Sequence, residues 1–142
     1  MLEFLDKVFF NNRIYSAAVK LTCKIVEDKY DKVEVKPGLC RYNFRCHLNA
    51  VHDAIESGHE KIALCLYSGP DLDYPIIHFL NVYHDGTFVD NTLGHWSSKY
   101  EYRLVRYISK HEFFSVESIF SNFREELRSA TGWMSRFTSF VC

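Results

Sequence analysis

Three residue types that work together in thiol catalysis occur along the chain in the order Cys46, His78 and Asp90. Cys46 opens a predicted helix, where unpaired backbone N–H groups and the positive end of the helix dipole favour a thiolate. A thiolate can attack an acyl carbon, an imidazole can move the proton, and a carboxylate can hold the imidazole in one tautomer. The three residue types therefore predict a site with a cysteine nucleophile.

The backbone N–H of Cys46 would supply one half of an oxyanion hole in such a site. Candidates for the second donor lie just before it in the sequence, and they are Asn43, Arg41 and Tyr42. A plainer alternative stays open, because free cysteines are commonly small buried residues. Cys23 and Cys65 fit this alternative, and Cys40 is the other contender for a reactive thiol.

A hairpin in the stretch IIHFLNVYHDGTFVDNTLG decides which residue accompanies His78. A three-residue turn with a left-handed Gly86 would bring Asp90 onto the face of His78, whereas a two-residue turn would bring Asn91 there instead. We favour the first register and keep Asn91 as the alternative. The face shared with His78 is then apolar, and we expect a helix to cover it.

This arrangement resembles the papain-like fold, nearest to its transglutaminase-like and arylamine-acyltransferase-like branches. The residues that carry the resemblance are CHLNAVHDAI, opening a helix, and HFLNVYHDGTFVD, forming the hairpin. The resemblance covers roughly residues 40–94 and implies that Cys46, His78 and Asp90 are the first, second and third members of a triad. Two features depart from the family: no tryptophan lies beside Cys46, unlike in many members, and the stretch from Cys46 to His78 is short. The short stretch indicates a minimal version of the fold.

The order of predicted elements indicates one α+β domain over residues 1–142, with a papain-like core and extra terminal helices. Residues 1–36 form an N-terminal helical segment with a possible break at Asn11-Asn12. Residues 37–112 hold the nucleophile helix and an antiparallel sheet, whose strands include KIALCLYSG and YEYRLVRYI. Residues 113–142 form a helix capped by Ser115, a stop at Gly132 and an apolar tail.

Composition narrows the classes of partner and the cellular setting. The chain has 17 basic and 18 acidic residues, so no general attraction to nucleic acid or an anionic membrane is expected. Its first residues do not form a secretory signal, and no apolar run is long enough to span a membrane. Five cysteines at irregular spacing, with no CxxC pair, predict free thiols in a cytoplasmic setting.

No cofactor or metal is expected, because the spacing of His52, His59 and Cys46 matches no known ligand pattern. We predict a cysteine-dependent hydrolase or acyl transferase acting on an amide, isopeptide or thioester bond of a protein or peptide. Trp96 and Tyr74, in the loops that flank the hairpin, are the expected substrate contacts. The alternative is an inactive papain-like binding module that acts by occupying a protein partner.

Overall fold

The computed structural model describes residues 2–130, with side chains described at positions 13, 16 and 17 and from 19 onward. It has an α+β fold, as predicted. The helices are α1 (Leu2–Lys29), α2 (Cys46–Ser57) and α3 (Val116–Ala130), and two 3₁₀ helices cover Gly94–Lys99 and Lys110–Ser115. The strands are β1 (Asp31–Val33), β2 (Val35–Pro37), β3 (Lys61–Ser68), β4 (Ile76–Val82), β5 (Phe88–Asp90) and β6 (Glu101–Ser109).

The six strands form one mixed sheet in the order β1-β6-β3-β4-β5-β2. Strand β2 pairs in parallel with β5, so the prediction of a purely antiparallel sheet was wrong. Strands β1 and β2 lie at opposite edges although only Glu34 separates them in the sequence. A chain that passes from one edge to the other within one residue requires the sheet to curl, and the curl creates an inner and an outer face.

The helix expected in the N-terminal segment 1–36 is α1, which ends at Lys29, but the two short strands that follow it within this segment were not predicted. Helix α1 also continues through Asn11-Asn12, where a break was considered. The missed strands are only three residues long. The sequence sign of these strands is the alternation of Val33 and Val35 with charged residues. In strands of three residues this alternation is too short to distinguish a strand from other structure.

The outer face of the sheet carries the larger core and is the face that the helices cover. Every second residue of β3 and β4 contributes to it, and the cluster includes Ile62, Leu64, Leu66, Ile77, Phe79 and Ile108. Helix α2 adds Cys46, Ala50 and Ala54, whose small side chains allow close approach to the sheet. The amide of Asn81 donates to the carbonyl oxygen of Ala50 at 2.8 Å, which fixes α2 against β4.

The inner face holds a second, smaller core made by the alternate residues of the same strands. Its buried members are Ala63, Cys65, Leu80, Val82 and Tyr102. Both faces of β3 and β4 are therefore packed, and every residue of β4 is buried.

Helix α3 begins directly after Ser115, close to the predicted start. The predicted stop at Gly132 and the apolar tail lie outside the described residues. None of the described helices combines the length and the apolar character needed to cross a membrane.

Candidate functional site

The register of the β4–β5 hairpin follows the three-residue turn, as predicted. Asn81 pairs with Val89 and Val82 with Phe88. Gly86 has a φ of 84°, in the left-handed region that glycine adopts readily. This register brings Asp90 to the inner face, which His78 also occupies.

His78 and Asp90 form a buried pair, with 2.9 Å between Nε2 of the ring and Oδ2 of the carboxylate. The side chains are 2% and 0% exposed, respectively. His78 lies opposite Cys65 of β3, and its ring meets the ring of Tyr67 edge-on at 5.1 Å between centroids. The structure therefore brings together the predicted base and its predicted orienting acid.

The carboxylate of Asp90 accepts hydrogen bonds at both of its oxygen atoms. The hydroxyl of Tyr102 donates to Oδ2 at 2.7 Å, and the backbone N–H groups of Thr92 and Leu93 donate to Oδ1 at 2.9 and 2.8 Å. Burial alone would raise the pKa of Asp90, but the charge of His78 and these hydrogen bonds outweigh it and lower the pKa. Asp90 is thus held as an ionised acceptor.

The neighbours of the pair stay protonated on the same inner face. Burial raises the pKa of the Tyr67 hydroxyl to about 12. Burial, followed by the nearby charge of Asp90, raises the pKa of Tyr102 and that of the Cys65 thiol. Tyr102 therefore remains a hydrogen-bond donor to Asp90, and Cys65 remains an unreactive thiol.

Cys46 is the first residue of α2, as predicted, but it belongs to the outer core and is only 1% exposed. The prediction that a helix covers the face of His78 was wrong, because α2 packs on the opposite face with Ile77 and Phe79. Cys46 is also disulfide-bonded, whereas Cys23, Cys40 and Cys65 are free. The expectation of free thiols therefore does not hold for Cys46, and its participation with His78 stays a prediction.

The first turn of α2 is nevertheless tied to the chain that follows Asp90. The amide of Asn49 donates to the hydroxyl of Thr92 at 3.0 Å. Hydrogen-bonded pairing between β4 and β5 stops at Asn81 and Val89, so the His78 half of β4 lacks β5 as a neighbour. The first turn of α2 is therefore held close to the chain segment that follows Asp90.

The loop before α2 is fixed by a salt bridge that sequence reasoning did not foresee. The guanidinium of Arg41 donates to both oxygens of Asp53, at 2.6 and 2.8 Å, and to the carbonyl oxygen of Asn91 at 2.8 Å. The hydrogen bond that Arg41 donates to Asp53 raises the pKa of Arg41 further. Arg41, a predicted oxyanion donor, is thus occupied by these three acceptor oxygens.

The other predicted oxyanion donors differ in their surroundings. Asn43 exchanges side-chain hydrogen bonds with Asn49 at 3.0 and 3.1 Å, and its Oδ1 also accepts from the N–H of Arg45. Tyr42 is exposed, and its pKa is raised chiefly by a hydrogen bond with Cys40, while its contact with Trp96 acts in the opposite direction. Arg45 makes no side-chain cap at the start of α2.

Asn91, the alternative to Asp90, lies on the other side of β5 and has a structural role. Its amide donates to Oδ1 of Asn81 at 2.9 Å, and its own Oδ1 accepts from the N–H of Leu39 at 3.0 Å. Asn81 in turn holds Ala50 of α2. Asn91 therefore links the loop, the sheet and the helix.

We expect Gly38→Ala to weaken this linkage. A Cβ atom at Gly38 would overlap Oδ1 of Asn91 and lie 2.7 Å from Cγ1 of Val89. Because neither neighbour is the free end of a long side chain, the cost should be about 1–3 kcal/mol of unfolding free energy, typical of overpacking. Urea denaturation measures it.

The control for this variant is Gly86→Ala, where a Cβ atom would meet no atom within 4 Å and only the positive φ resists the change. That substitution should cost about 1 kcal/mol. A Gly38→Ala protein as stable as the wild type would show that the contact between the loop and Asn91 is unimportant.

The two predicted substrate contacts both lie near Lys99, which lines the same cavity as Tyr74 and whose ammonium lies over the Trp96 ring. Trp96 is in the first 3₁₀ helix and is 40% exposed, with the ammonium of Lys99 3.9 Å from its ring centroid. Tyr74 lines a cavity of about 370 Å³, together with Cys23, Pro70 and Leu72. Neither observation assigns a ligand.

Two further groups of polar residues include side chains of α2 itself. His47 stacks on Phe120 with 5.8 Å between ring centroids, and burial lowers its pKa although Glu117 opposes this. His52, Asp53 and Glu56 offer ligand atoms within 4.8 Å of one another. Asp53 already pairs with Arg41, so this group has an explanation without a metal.

The fold and this site define an α+β protein with a curled mixed sheet and a buried histidine–aspartate pair. Comparison with known proteins found no matching family model, no matching curated protein and no matching solved structure.

Proposed function

We propose that the protein is a cysteine-dependent hydrolase or acyl transferase with a minimal papain-like core, in which Cys46 is the nucleophile, His78 the base and Asp90 the orienting acid. The observation that carries the proposal is the His78–Asp90 hydrogen bond of 2.9 Å, which is buried on the inner face of the sheet. A buried carboxylate that accepts from an imidazole fixes the tautomer and leaves the second ring nitrogen for proton transfer.

The chemistry would proceed in two steps on an amide, isopeptide or thioester. The Cys46 thiolate attacks the carbonyl carbon, the backbone N–H of Cys46 stabilises the oxyanion, and His78 gives its proton to the leaving group. Water or an amine then attacks the acyl-enzyme, loses a proton to His78 and releases the thiol. The hydrogen bond between Asn49 and Thr92 supports this scheme, because Thr92 lies two residues after Asp90 and the bond therefore holds the first turn of α2 close to the acid in the chain.

The scheme has two requirements. Cys46 must be released from its disulfide, since only a free thiolate is nucleophilic. The ring of His78 must then reach Cys46 around the edge of β4, where pairing with β5 has ended. The cytoplasm, where thiols are kept reduced, would meet the first requirement, and the substrate there would be a protein or peptide.

The second candidate function is a binding module on the same scaffold, with an inactive pair. It is favoured by the burial of Cys46 in the outer core and by the position of His78 on the inner face. On this alternative, the hydrogen bonds of Asp90 serve only to stabilise the curled sheet.

Thiol labelling separates the two candidates. The protein is treated briefly with iodoacetamide, with and without prior reduction by a phosphine, and labelled sites are mapped by mass spectrometry. After reduction, Cys46 should react fastest, because the N–H groups and the dipole at the helix N-terminus favour its thiolate form. Without reduction, Cys46 should not react.

The matched control in this experiment is Cys40, which is free and half-buried but is not at the start of a helix. Slower labelling of reduced Cys46 than of Cys40, or preferential labelling of Cys23 or Cys65, would contradict the nucleophile assignment and leave the binding module.

A further inference from the structure

Four large apolar side chains near the start of α2 point into solvent. Tyr42 and Phe44 are each 82% exposed, Leu39 is 59% exposed, and Trp96 is 40% exposed. Tyr42 contacts Trp96, which joins the loop to the first 3₁₀ helix. We call these four residues the apolar loop surface. Clustered exposed apolar groups of this size typically mark interaction sites, whereas single ones do not.

The backbone beneath this surface is held rigidly. The N–H of Gly38 donates to the carbonyl oxygen of Asp90 at 3.0 Å, and the N–H of Arg41 donates to that of Thr92 at 2.7 Å. The backbone of Cys40 forms an isolated antiparallel β-bridge with that of Leu93. The salt bridge from Arg41 and the hydrogen bonds of Asn43 and Asn91 add to this, as described above. The exposed side chains therefore extend from an ordered support, which lowers the entropy cost of binding a partner.

Phe44 supplies an independent sign of function. It is the one non-glycine residue with positive φ among residues 2–130, at 50°. A bulky residue adopts this conformation at a cost, and such costs concentrate at ligand-binding segments. The strained backbone holds an aromatic ring in solvent, where the ring gains no stability from burial.

The charges around the surface indicate the kind of partner. Arg41 is neutralised by Asp53, but Arg45 and Lys99 have no carboxylate within ion-pair distance among the residues the structure describes. Two cations without an ion-pair partner therefore lie next to the apolar loop surface, Arg45 directly after Phe44 in the sequence and Lys99 over the ring of Trp96. Two cations are too few for the many phosphate contacts that nucleic acid binding needs.

We propose that the apolar loop surface binds an extended segment of another protein that carries an aromatic or branched apolar side chain next to acidic residues. This inference goes beyond the proposed function, because binding at this surface does not require the Cys46 thiol. The acidic residues would pair with Arg45 and Lys99, and the apolar side chain would lie between Phe44 and Trp96.

The test is selection of short random peptides from a phage-displayed library, followed by fluorescence anisotropy with the selected peptides. Selection is against the wild type after depletion on a Tyr42→Ser/Phe44→Gly double variant. Selected peptides should combine apolar and acidic residues, and Phe44→Gly should weaken their binding at least about tenfold, as for an interface hot spot. Charge reversal at Arg45 and Lys99 should also weaken binding and reduce its dependence on salt.

Three controls make the result decisive. Glycine accepts positive φ, so Phe44→Gly should keep or raise the melting temperature, and lost binding can then be assigned to the side chain. Tyr107→Ser removes another exposed aromatic residue, which lies six positions after the first residue of β6 and thus roughly 20 Å from that residue along the strand. This variant should bind peptides normally. Cys46→Ala should also bind them normally.

The proposal is overturned if no peptide is retained, if the double variant binds the peptides as tightly as the wild type, or if oligothymidine binds at this surface more tightly than any acidic peptide. Because Cys46→Ala separates binding from thiol chemistry, failure here leaves the proposed activity standing, and failure of the labelling experiment leaves this surface standing.

Discussion

Asp90→Ala is expected to remove about 3–5 kcal/mol from the free energy of unfolding, which is the usual cost of breaking a buried ion pair. Asp90 is fully buried and accepts from His78, Tyr102 and two backbone N–H groups. Its removal leaves all these donors without an acceptor on the inner face. Because a domain of this size is stable by only about 5–15 kcal/mol, the loss would be large.

Urea denaturation at neutral pH measures the effect, and Asp31→Ala is the control because Asp31 is an exposed residue of β1. The control should change stability by no more than about 0.5 kcal/mol. Asp90→Asn should cost less than Asp90→Ala, since it keeps one oxygen for the N–H groups of Thr92 and Leu93. An Asp90→Ala protein with the denaturation midpoint of the control would show that the buried pair is unimportant for stability.

The same carboxylate predicts how stability depends on pH. The pKa of Asp90 is lower in the folded chain than the value of about 3.9 in an unfolded chain. Its contribution is therefore fully present above that value and is lost as the pH falls through the folded pKa. The stability difference between the wild type and Asp90→Asn should accordingly shrink in acid, below about pH 4.

Substitution of Cys46 or His78 is expected to lower turnover at least about a thousandfold if the proposed chemistry is correct. Because the two residues act as one unit, the double variant should be no worse than either single variant. His78→Gln is the variant of choice, since its amide can still donate to Asp90 and spare the fold. The assay measures kcat/KM on reduced protein with a panel of fluorogenic thioesters and peptide amides.

His47→Gln is the matched control for this experiment. His47 is adjacent to Cys46 and half-buried against Phe120, so it is the alternative base. It should retain most of the activity. The reverse result, with His78→Gln active and His47→Gln inactive, would transfer the role of the base to His47 and leave the His78–Asp90 pair with a structural role.

Much of the local structure could be read from the sequence because it depends on neighbouring residues. The apolar period of α2 and the left-handed glycine cap at Gly58 set that helix. Asp85 and Gly86 determine the hairpin turn, and this turn determines the register that pairs His78 with Asp90. Turn geometry fixes register, and register fixes the face of every side chain in both strands.

The sequence by itself therefore determined an α+β chain, the helix that begins at Cys46, and the partnership of His78 with Asp90. Only the tertiary structure decided which face of the sheet α2 covers, because both faces of β4 are buried and each carries apolar residues with one polar residue, so its pattern cannot distinguish them. It also decided the curl of the sheet, which depends on β1 and β2 pairing with strands distant in the sequence. These choices come from long-range packing, which local periodicity does not encode, and they separate Cys46 on the outer face from His78 on the inner face.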